Sequence, residues 1–257
     1  MKSFGLYSRY YDLLYKEKDY LSESAYIDRL IKKYSKAAEN VLELGCGTGL
    51  HAIHMAGMNY NVCGVDLSDT MLQRAERRIA QLSWDVAKKV KFLQGDARSF
   101  RDGILYDVVV SLFHVVSYQI SNQDLTRTFE TAARHLKPGG LFIFDYWYGP
   151  AVLNQKPEVR VKKLQDDEVS IIRTARPSVF VNENRVQVDY SINMASRSGS
   201  VCEEIHESHH MRYLFLPEIE MLAKQDFQVK AHLAWMSTDQ PGVESWAGVS
   251  VLERQDS

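Results

Sequence analysis

The sequence predicts an α/β chain: a parallel sheet covered by helices on both faces, with an antiparallel block inserted late. Three observations carry this. From residue 40 to 147, short apolar runs of strand length alternate with helical patterns, the arrangement that gives parallel strands joined by crossover helices. A glycine-rich turn follows the first of those runs, at "VLELGCGTG". After Trp147 the helical patterns stop, and alternating runs bounded by turn residues take over until a last helix and two strands.

Taken in order, residues 1–38 are rich in Lys and Glu and hold seven of the 14 tyrosines. Leu13, Leu14, Leu21, Ile27, Leu30 and Ile31 fall at mixed helical spacings, which predicts one or two short amphipathic helices forming an N-terminal lid. "NVLELG" is a strand, "LHAIHMAGM" a helix and "NVCGVD" a strand. "SDTMLQRAERRIAQL" is a helix opened by Ser68 as N-cap. "KVKFLQGD", "YDVVVSLF", a helix near 122–136 and "GLFIFDYW" continue the series. "DVVVSLFHVVSY" is far shorter than the roughly 20 residues that span a bilayer, so it reads as a buried strand. "EVRVKKL", "EVSIIRTA", "SVFVNENRVQVDYSINMAS" and "VCEEIHESHHMRYLF" alternate as antiparallel strands, with turns at Asn182–Asn184 and Ser198–Ser200. "LPEIEMLAKQDF" is a helix with Pro217 in its first turn. "QVKAHLAWM" and "SWAGVSVLER" then return to complete the first sheet. The expected divisions are a lid at 1–38, a ligand-binding core at 39–149, the insertion at 150–215, and the closing helix and strands at 216–257.

Charge narrows the partners. With 31 basic and 33 acidic residues the net charge is −2, so no overall positive field exists to hold a nucleic-acid backbone. Arg9 and Asp12 interrupt the start before a signal peptide could form. Cys46, Cys63 and Cys202 are odd in number and widely spaced, which fits reduced thiols in a cytoplasmic protein.

The glycine turn carries the chemistry. A strand running through such a turn into a helix gathers backbone N–H groups and a helix N-terminus around one ligand. Asp66 ends the next strand 21 residues past Gly45, where an acidic side chain takes two ribose hydroxyls. An adenosine-type ligand follows. The turn lacks the Gly-Lys-Ser/Thr ending of a nucleotide phosphate loop, which disfavours ATP. Glu43, beneath the turn, would repel a dinucleotide's pyrophosphate but attract the sulfonium and ammonium of S-adenosylmethionine. Gly45, Gly47 and Gly49 also depart from the dinucleotide spacing, the third coming one residue early. The alternative for Glu43 is a carboxylate that caps neighbouring backbone N–H groups.

"VLELGCGTG", "GVDLSDTML", "FLQGDARSF" and "LKPGGLFIFDYW" after "YDVVVSLF" resemble the successive motifs of class I S-adenosylmethionine-dependent methyltransferases. That resemblance spans residues 40–147 and implies a Rossmann-like seven-stranded sheet carrying the antiparallel β insertion. It implies that Gly45 and Gly47, with Gly49 in the same turn, meet the methionine part, and that Asp66 meets the ribose, with Leu67 and Met71 beside it. Asp96 and Ala97 would edge the adenine, and Leu112 and Phe113 would line the pocket.

The flanking segments "YYDLLYKEKDYLSE", "VVSLFHVVSY" and "HHMRYLFLPEIEMLAKQDFQV" are similar to N-methyltransferases of nucleotide-linked amino sugars, the N,N-dimethyltransferases of desosamine and mycaminose biosynthesis. This implies that Tyr11 or Tyr15 approaches the donor and reacting centre, with Tyr20 near the donor, and that Tyr118 lies near the acceptor. The resemblance implies a small-molecule acceptor, a nucleotide sugar. The sequence departs from that group at Trp246, where relatives can carry an arginine. A diphosphate would therefore need Arg160, Arg173, Arg176 or Arg212 in its place.

An amine attacks the sulfonium methyl in line, so positioning supplies most of the acceleration. The amine must arrive neutral, and His114 or Tyr118 could take its proton. His114 could equally be a satisfied core histidine, and the tyrosine-rich lid plain packing mass. His206, His209 and His210 do not share one strand face, so no metal site is expected. The insertion builds an acceptor wall, a homodimer contact, or both. A different small amine or a hydroxyl compound is the runner-up acceptor. A dinucleotide oxidoreductase and a silent donor-binding module are the readings from other classes.

Overall fold

A computed structural model describes residues 13–15, 18–165, 169–196 and 201–255. The first helix, α1 (Tyr20–Tyr34), is opened by Asp19, whose carboxylate accepts from Ser22 N–H at 2.9 Å. Lys32 and Lys33 sit in its last turn, matching the helix dipole. Tyr20, Ser24, Ile27 and Ile31 fall on its buried face at the three- and four-residue spacing of an amphipathic helix.

The core then runs β1 (Asn40–Leu44), α2 (Leu50–Gly57), β2 (Asn61–Asp66), α3 (Asp69–Ile79), a short α4 (Trp84–Ala87), β3 (Val90–Gln94), β4 (Tyr106–Ser111), α5 (Asn122–His135) and β5 (Leu136–Tyr148). Ser68 caps α3 by accepting from Met71 N–H, as expected. Ser121 caps α5 in the same way. Strands β3, β2, β1, β4 and β5 lie side by side in that order and all run parallel. The closing strands β10 (Phe227–Ala234) and β11 (Ala247–Arg254) extend the sheet beyond β5, β11 antiparallel to both neighbours. The order therefore reverses between β1 and β4, and the crevice beyond their carboxyl ends is where such sheets take ligands.

Side chains alternate across this sheet. Leu141 and Ile143 of β5 join Ile27, Ile31, Met55 and Val251 on one face, while Phe142 and Phe144 join Phe129, Ile219 and Leu252 on the other. Glu43 shares the first face with Val41, directed at α2 rather than α5.

The expected antiparallel block is present: β6 (Arg160–Gln165), β7 (Val169–Phe180), β8 (Arg185–Ser196) and β9 (Val201–Leu214) pair in sequence. It lies between β5 and the helix α7 (Leu216–Ala223). The turn at Asn182–Asn184 is where the sequence predicts it, with Asn184 left-handed at φ +50°. The turn expected at Ser198–Ser200 lies outside the described residues. The block joins the core sheet through two parallel pairs, Trp147 with Tyr213 and Tyr148 with Leu214. It thus stands at the carboxyl end of the strands.

Two expectations fail. Helices do not stop at Trp147, because α6 (Gly149–Gln155) follows at once, with Pro150 in its first turn and Ala151 and Val152 buried. Seven residues, with only Val152 and Leu153 large and apolar, hide the apolar stripe that a longer helix would show. Nor is "DVVVSLFHVVSY" one strand. It ends at Ser111, Phe113 and His114 turn to φ +64°, and Val116–Tyr118 forms a short 3-10 turn. Two consecutive non-glycine residues in the left-handed region cost free energy that the surroundings must offset.

Candidate active site

The glycine turn separates into three roles. Gly45 (φ +81°) packs so tightly that a Cβ there would lie 2.5 Å from Val115 Cγ1, and Gly49 (φ +77°) so tightly that one would lie 2.3 Å from Phe92 Cζ. Gly49 also opens α2. Both build the turn from behind. Gly47 (φ +54°) faces open space, with nothing within 4 Å of its notional Cβ, so it is the glycine a ligand can lie against.

Asp66 ties the turn to the next strand. Its carboxylate accepts from Gly47 N–H at 2.7 Å and from Ser68 N–H at 2.8 Å. Burial raises its pKa, and those backbone bonds oppose the rise. Leu67 beside it is exposed, while Met71 is buried and its N–H serves the Ser68 cap.

Glu43 is 1% exposed, and neither carboxyl oxygen has a hydrogen-bond partner among the described residues. The His51 ring lies beside it, with Nδ1 3.6 Å away. Burial first, and then the Asp66 charge, push its pKa from 4.5 up to about 8, against a weak pull from the Ala52 N–H. An orphaned acid under an open glycine is what a ligand bearing a positive charge would satisfy. The residues present therefore fit S-adenosylmethionine, whose ammonium and sulfonium would meet Glu43 and whose ribose would meet Asp66.

At the expected adenine edge, Asp96 is held by Arg98, whose Nη2 reaches Oδ2 at 2.6 Å and whose Nε reaches Oδ1 at 2.9 Å. Arg98 also bonds Asp124 at 3.0 Å. The Arg98 bonds keep the Asp96 carboxyl below its ordinary range. Ala97 packs partly buried against the second core cluster.

Beyond β4 the chain crosses toward the inserted sheet. Leu112 is buried, and the Phe113 ring faces Tyr15 edge-on at 5.0 Å and Tyr20 at 6.4 Å. Lys18 Nζ stands 4.2 Å over the Phe113 ring and pairs with Glu23. Tyr20 also meets the His51 ring at 4.9 Å. Tyr11 lies outside the described residues. Leu14 is fully buried with Ile171, Ile192, Met194 and Ile205 of the inserted sheet, and Lys162 Nζ donates to its carbonyl at 3.1 Å. The N-terminal segment thus bridges the glycine-turn side and the insertion, with Tyr15 between them.

His114 is neither free nor an ordinary core histidine. Its N–H donates to both Asp145 oxygens, at 3.0 and 3.1 Å, and its Nδ1 lies 2.7 Å from Oδ2. That contact sets the imidazole against the buried carboxylate. Asp145 is 1% exposed. Burial would raise its pKa, but the His114 charge and bonds prevail and lower it. Asp145 thereby holds the left-handed bend that presents Phe113. It was not anticipated, although its signal is visible: one carboxylate inside "LFIFDYW" must find a partner.

Tyr118 ends the 3-10 turn. Its hydroxyl meets His209 Nδ1 at 2.9 Å, and His209 Nε2 meets Glu207 Oε2 at 3.3 Å. Tyr190 faces the His209 ring at 5.1 Å, and Arg173 lies 4.1 Å over Tyr190 and 5.8 Å over Tyr15. His209 and Glu207 were not anticipated as part of this centre. Positions 205, 207, 209 and 211 of β9 all point inward, and an acid and an imidazole on a buried strand face were the available signal. Of the arginines considered for a diphosphate, Arg212 is committed to Glu218 and Asn122. Arg176 is engaged by Ser191 on the outer face, and Arg160 is exposed at the edge. Arg173 alone among them faces this centre. Among the described residues no group of three His, Cys, Asp or Glu side chains is placed to hold a metal. No described helix is long and apolar enough to cross a membrane.

A mostly parallel sheet with this strand order, an open glycine turn over an orphaned acid and a carboxylate at the tip of the next strand suit an S-adenosylmethionine-dependent methyltransferase, and the likenesses of this chain to known proteins support that enzyme activity. Residues 41–140 match the methyltransferase domain family. Along 198 residues the chain is 29% identical to the dTDP-3-amino-3,4,6-trideoxy-alpha-D-glucopyranose N,N-dimethyltransferase of Streptomyces venezuelae, covering 76% of this chain and 80% of that one. The fold is shared with the crystal structure of Streptomyces venezuelae DesVI, at a TM-score of 0.79 and 24% identity over 97% of this chain and 98% of that one. It is shared equally with an S-adenosylmethionine-dependent methyltransferase from Clostridium acetobutylicum, at a TM-score of 0.79 and 22% identity over 98% and 99%.

Proposed function

We propose that this enzyme methylates the amine of a nucleotide-linked amino sugar. The observation that carries the reading is the cluster of polar and aromatic side chains between the glycine turn and the inserted sheet, where Tyr15, Tyr118, Tyr190, Arg173 and His209 converge. The relative in Streptomyces venezuelae, by its name, acts on a dTDP-linked amino sugar. A cationic sugar amine suits tyrosine faces and hydroxyls, and Arg173 supplies the guanidinium that a diphosphate requires.

S-adenosylmethionine, when bound, supplies an electrophilic methyl group. Glu43 would hold its methionine part and Asp66 its ribose, Gly47 would let it lie close, and Phe113 would close the methyl side. Tyr15, anchored through Leu14 to the insertion, orients the acceptor and helps exclude water. Holding nitrogen and methyl carbon in line is the main contribution asked of the protein.

The test is incubation with labelled donor and a panel: a dTDP-linked 3-amino-3,6-dideoxyhexose, the same sugar without its nucleotide, a simple alkylamine and a catechol. Methyl transfer to the nucleotide sugar well above the free sugar supports the reading. Transfer to the alkylamine or catechol alone overturns it. A hydroxyl acceptor is the second reading, favoured by the imidazole at Tyr118. Replacing His114 and Tyr118 together nearly abolishes turnover of a hydroxyl compound at every pH, whereas an amine recovers where it is already neutral.

A further inference from the structure

We infer that Lys18 holds the α-carboxylate of the methyl donor, so that Glu43 and Lys18 together read its amino-acid end as a zwitterion. The inference rests on the fit of S-adenosylmethionine to the glycine turn and is independent of the acceptor. Glu43 would meet the ammonium and sulfonium of that ligand, and Asp66 its ribose. Its α-carboxylate, the one negative charge it carries, has no partner in that account. Glu43, Asp66 and Asp145 all stand toward the carboxyl end of the parallel strands, and each repels a carboxylate brought in from water. A cation must therefore stand on the methionine side.

Lys18 is placed for this. Its Nζ lies 4.2 Å from the centre of the Phe113 ring and 5.0 Å from that of Tyr20, and its charge reaches Asp145. It therefore sits over the end of the sheet and not on the outer side of α1. The Lys18 and Glu23 side chains are 14% and 12% exposed where they pair. Glu23 Oε2 in turn meets His51 Nε2 at 2.8 Å, and His51 Nδ1 lies 3.6 Å from Glu43 Oε1. One row of side chains thus runs from the ammonium to the orphaned acid and fixes their separation. Burial would raise the Glu23 pKa, but the His51 and Lys18 contacts prevail and lower it, so Glu23 is an anion that tethers Lys18. An ammonium has three hydrogens to donate, and among the described residues the Glu23 side chain takes one. Another would serve the ligand's carboxylate with Glu23 still in place. The neighbouring guanidinium groups are turned elsewhere: Arg78 donates from α3 to the Thr48 carbonyl at 2.7 Å, and Arg98 holds Asp96 and Asp124. Arg173 lies against the inserted sheet, over Tyr190 and Tyr15. A ligand with the ammonium but no carboxylate would lose Lys18 and gain nothing at Glu43, so the site should discriminate against decarboxylated donors.

The test is calorimetric titration, with no acceptor present, of two ligands that differ only in that group: S-adenosylhomocysteine and its decarboxylated analogue. Both are titrated into the wild type, Lys18→Met and Lys18→Arg. The wild type should bind S-adenosylhomocysteine about 10- to 100-fold more tightly, the worth of a hydrogen bond between charged groups. Lys18→Met should weaken S-adenosylhomocysteine by a similar factor and leave the decarboxylated analogue within about twofold. Lys18→Arg, which keeps the charge, should retain most of the preference. Wild-type affinities within about twofold of each other overturn the inference whatever the variants do. So does a Lys18→Met loss equal for both ligands, which marks a residue that only packs the N-terminal segment. Undiminished binding of the decarboxylated analogue also shows that the variant keeps an intact crevice. A wild type that binds neither ligand removes the donor reading and the inference with it. Discrimination by the wild type without methylation of any amino sugar removes only the acceptor reading.

Discussion

Glu43→Gln exchanges the orphaned acid for a neutral isostere and isolates what the buried charge does. In the folded chain the Glu43 pKa is raised from 4.5 to about 8, whereas the unfolded chain releases that proton near 4.5. A carboxyl shifted upward destabilises the fold as pH rises from the unfolded value, because the unfolded state gives up its proton first. At about 1.4 kcal/mol per pH unit, the wild type and Glu43→Gln should diverge by about 3–4 kcal/mol between pH 5 and pH 8, with the glutamine variant the more stable at alkaline pH. For a chain of this size that is a melting difference of roughly 7–14 °C. Urea unfolding at several pH values measures it directly. The same change should impair donor binding. In the wild type, binding the cationic donor near pH 7 makes Glu43 release a proton, detectable by calorimetry in buffers of different ionisation enthalpy. Stability curves that stay parallel from pH 5 to 8 would refute the buried-acid argument, and binding without proton release would refute the pairing of Glu43 with the donor.

Three further outcomes follow from the same geometry. Gly49→Ala should destabilise by about 2–4 kcal/mol, from the Phe92 clash and the left-handed backbone, while Gly47→Ala should cost only about 1 kcal/mol yet weaken the donor more. Unfolding midpoints and S-adenosylhomocysteine titrations distinguish the two, and equal stability losses would contradict the assignment of faces. Asp66→Ala should weaken S-adenosylhomocysteine at least about tenfold, the worth of a charged hydrogen-bonding group, and unchanged affinity by calorimetry would remove the ribose role. Asp145→Asn should destabilise by roughly 3–5 kcal/mol at pH 7, as breaking a buried pair does. Because the folded Asp145 pKa is lowered from 3.8, its stabilisation is present above that value and lost as pH falls through the folded pKa. The difference from Asp145→Asn should therefore shrink in strong acid, and a gap independent of pH would discount the ion pair.

The glycine-turn side of the candidate site was legible in the sequence because its signals are local. One strand, one turn and one helix N-terminus place Gly45, Gly47 and Gly49, and the next strand end places Asp66. Charge alone singled out Glu43. The cluster against the inserted sheet was not legible to the same degree, because its members meet only through tertiary pairing: Tyr118, His209 and Arg173 come from a 3-10 turn and two separate strands. "HHMRYLF" reads as mere alternation until β9 is seen to face the turn after β4. The bend at Phe113 and His114 was missed because apolar residues on both sides continue a strand pattern, while Asp145, which holds the bend, lies 31 residues away. Helix α6 escaped because seven residues are too few for periodicity to declare itself.

The junction at Trp147 and Tyr148 has a consequence for how such catalysts diversify. The inserted sheet, the acceptor wall of the proposed function, joins the core sheet by two backbone pairings among the described residues. Its strands can be lengthened, reshuffled or redecorated while the machinery that grips the methyl source stays untouched. A lineage built this way can change its clientele by remodelling one attached panel.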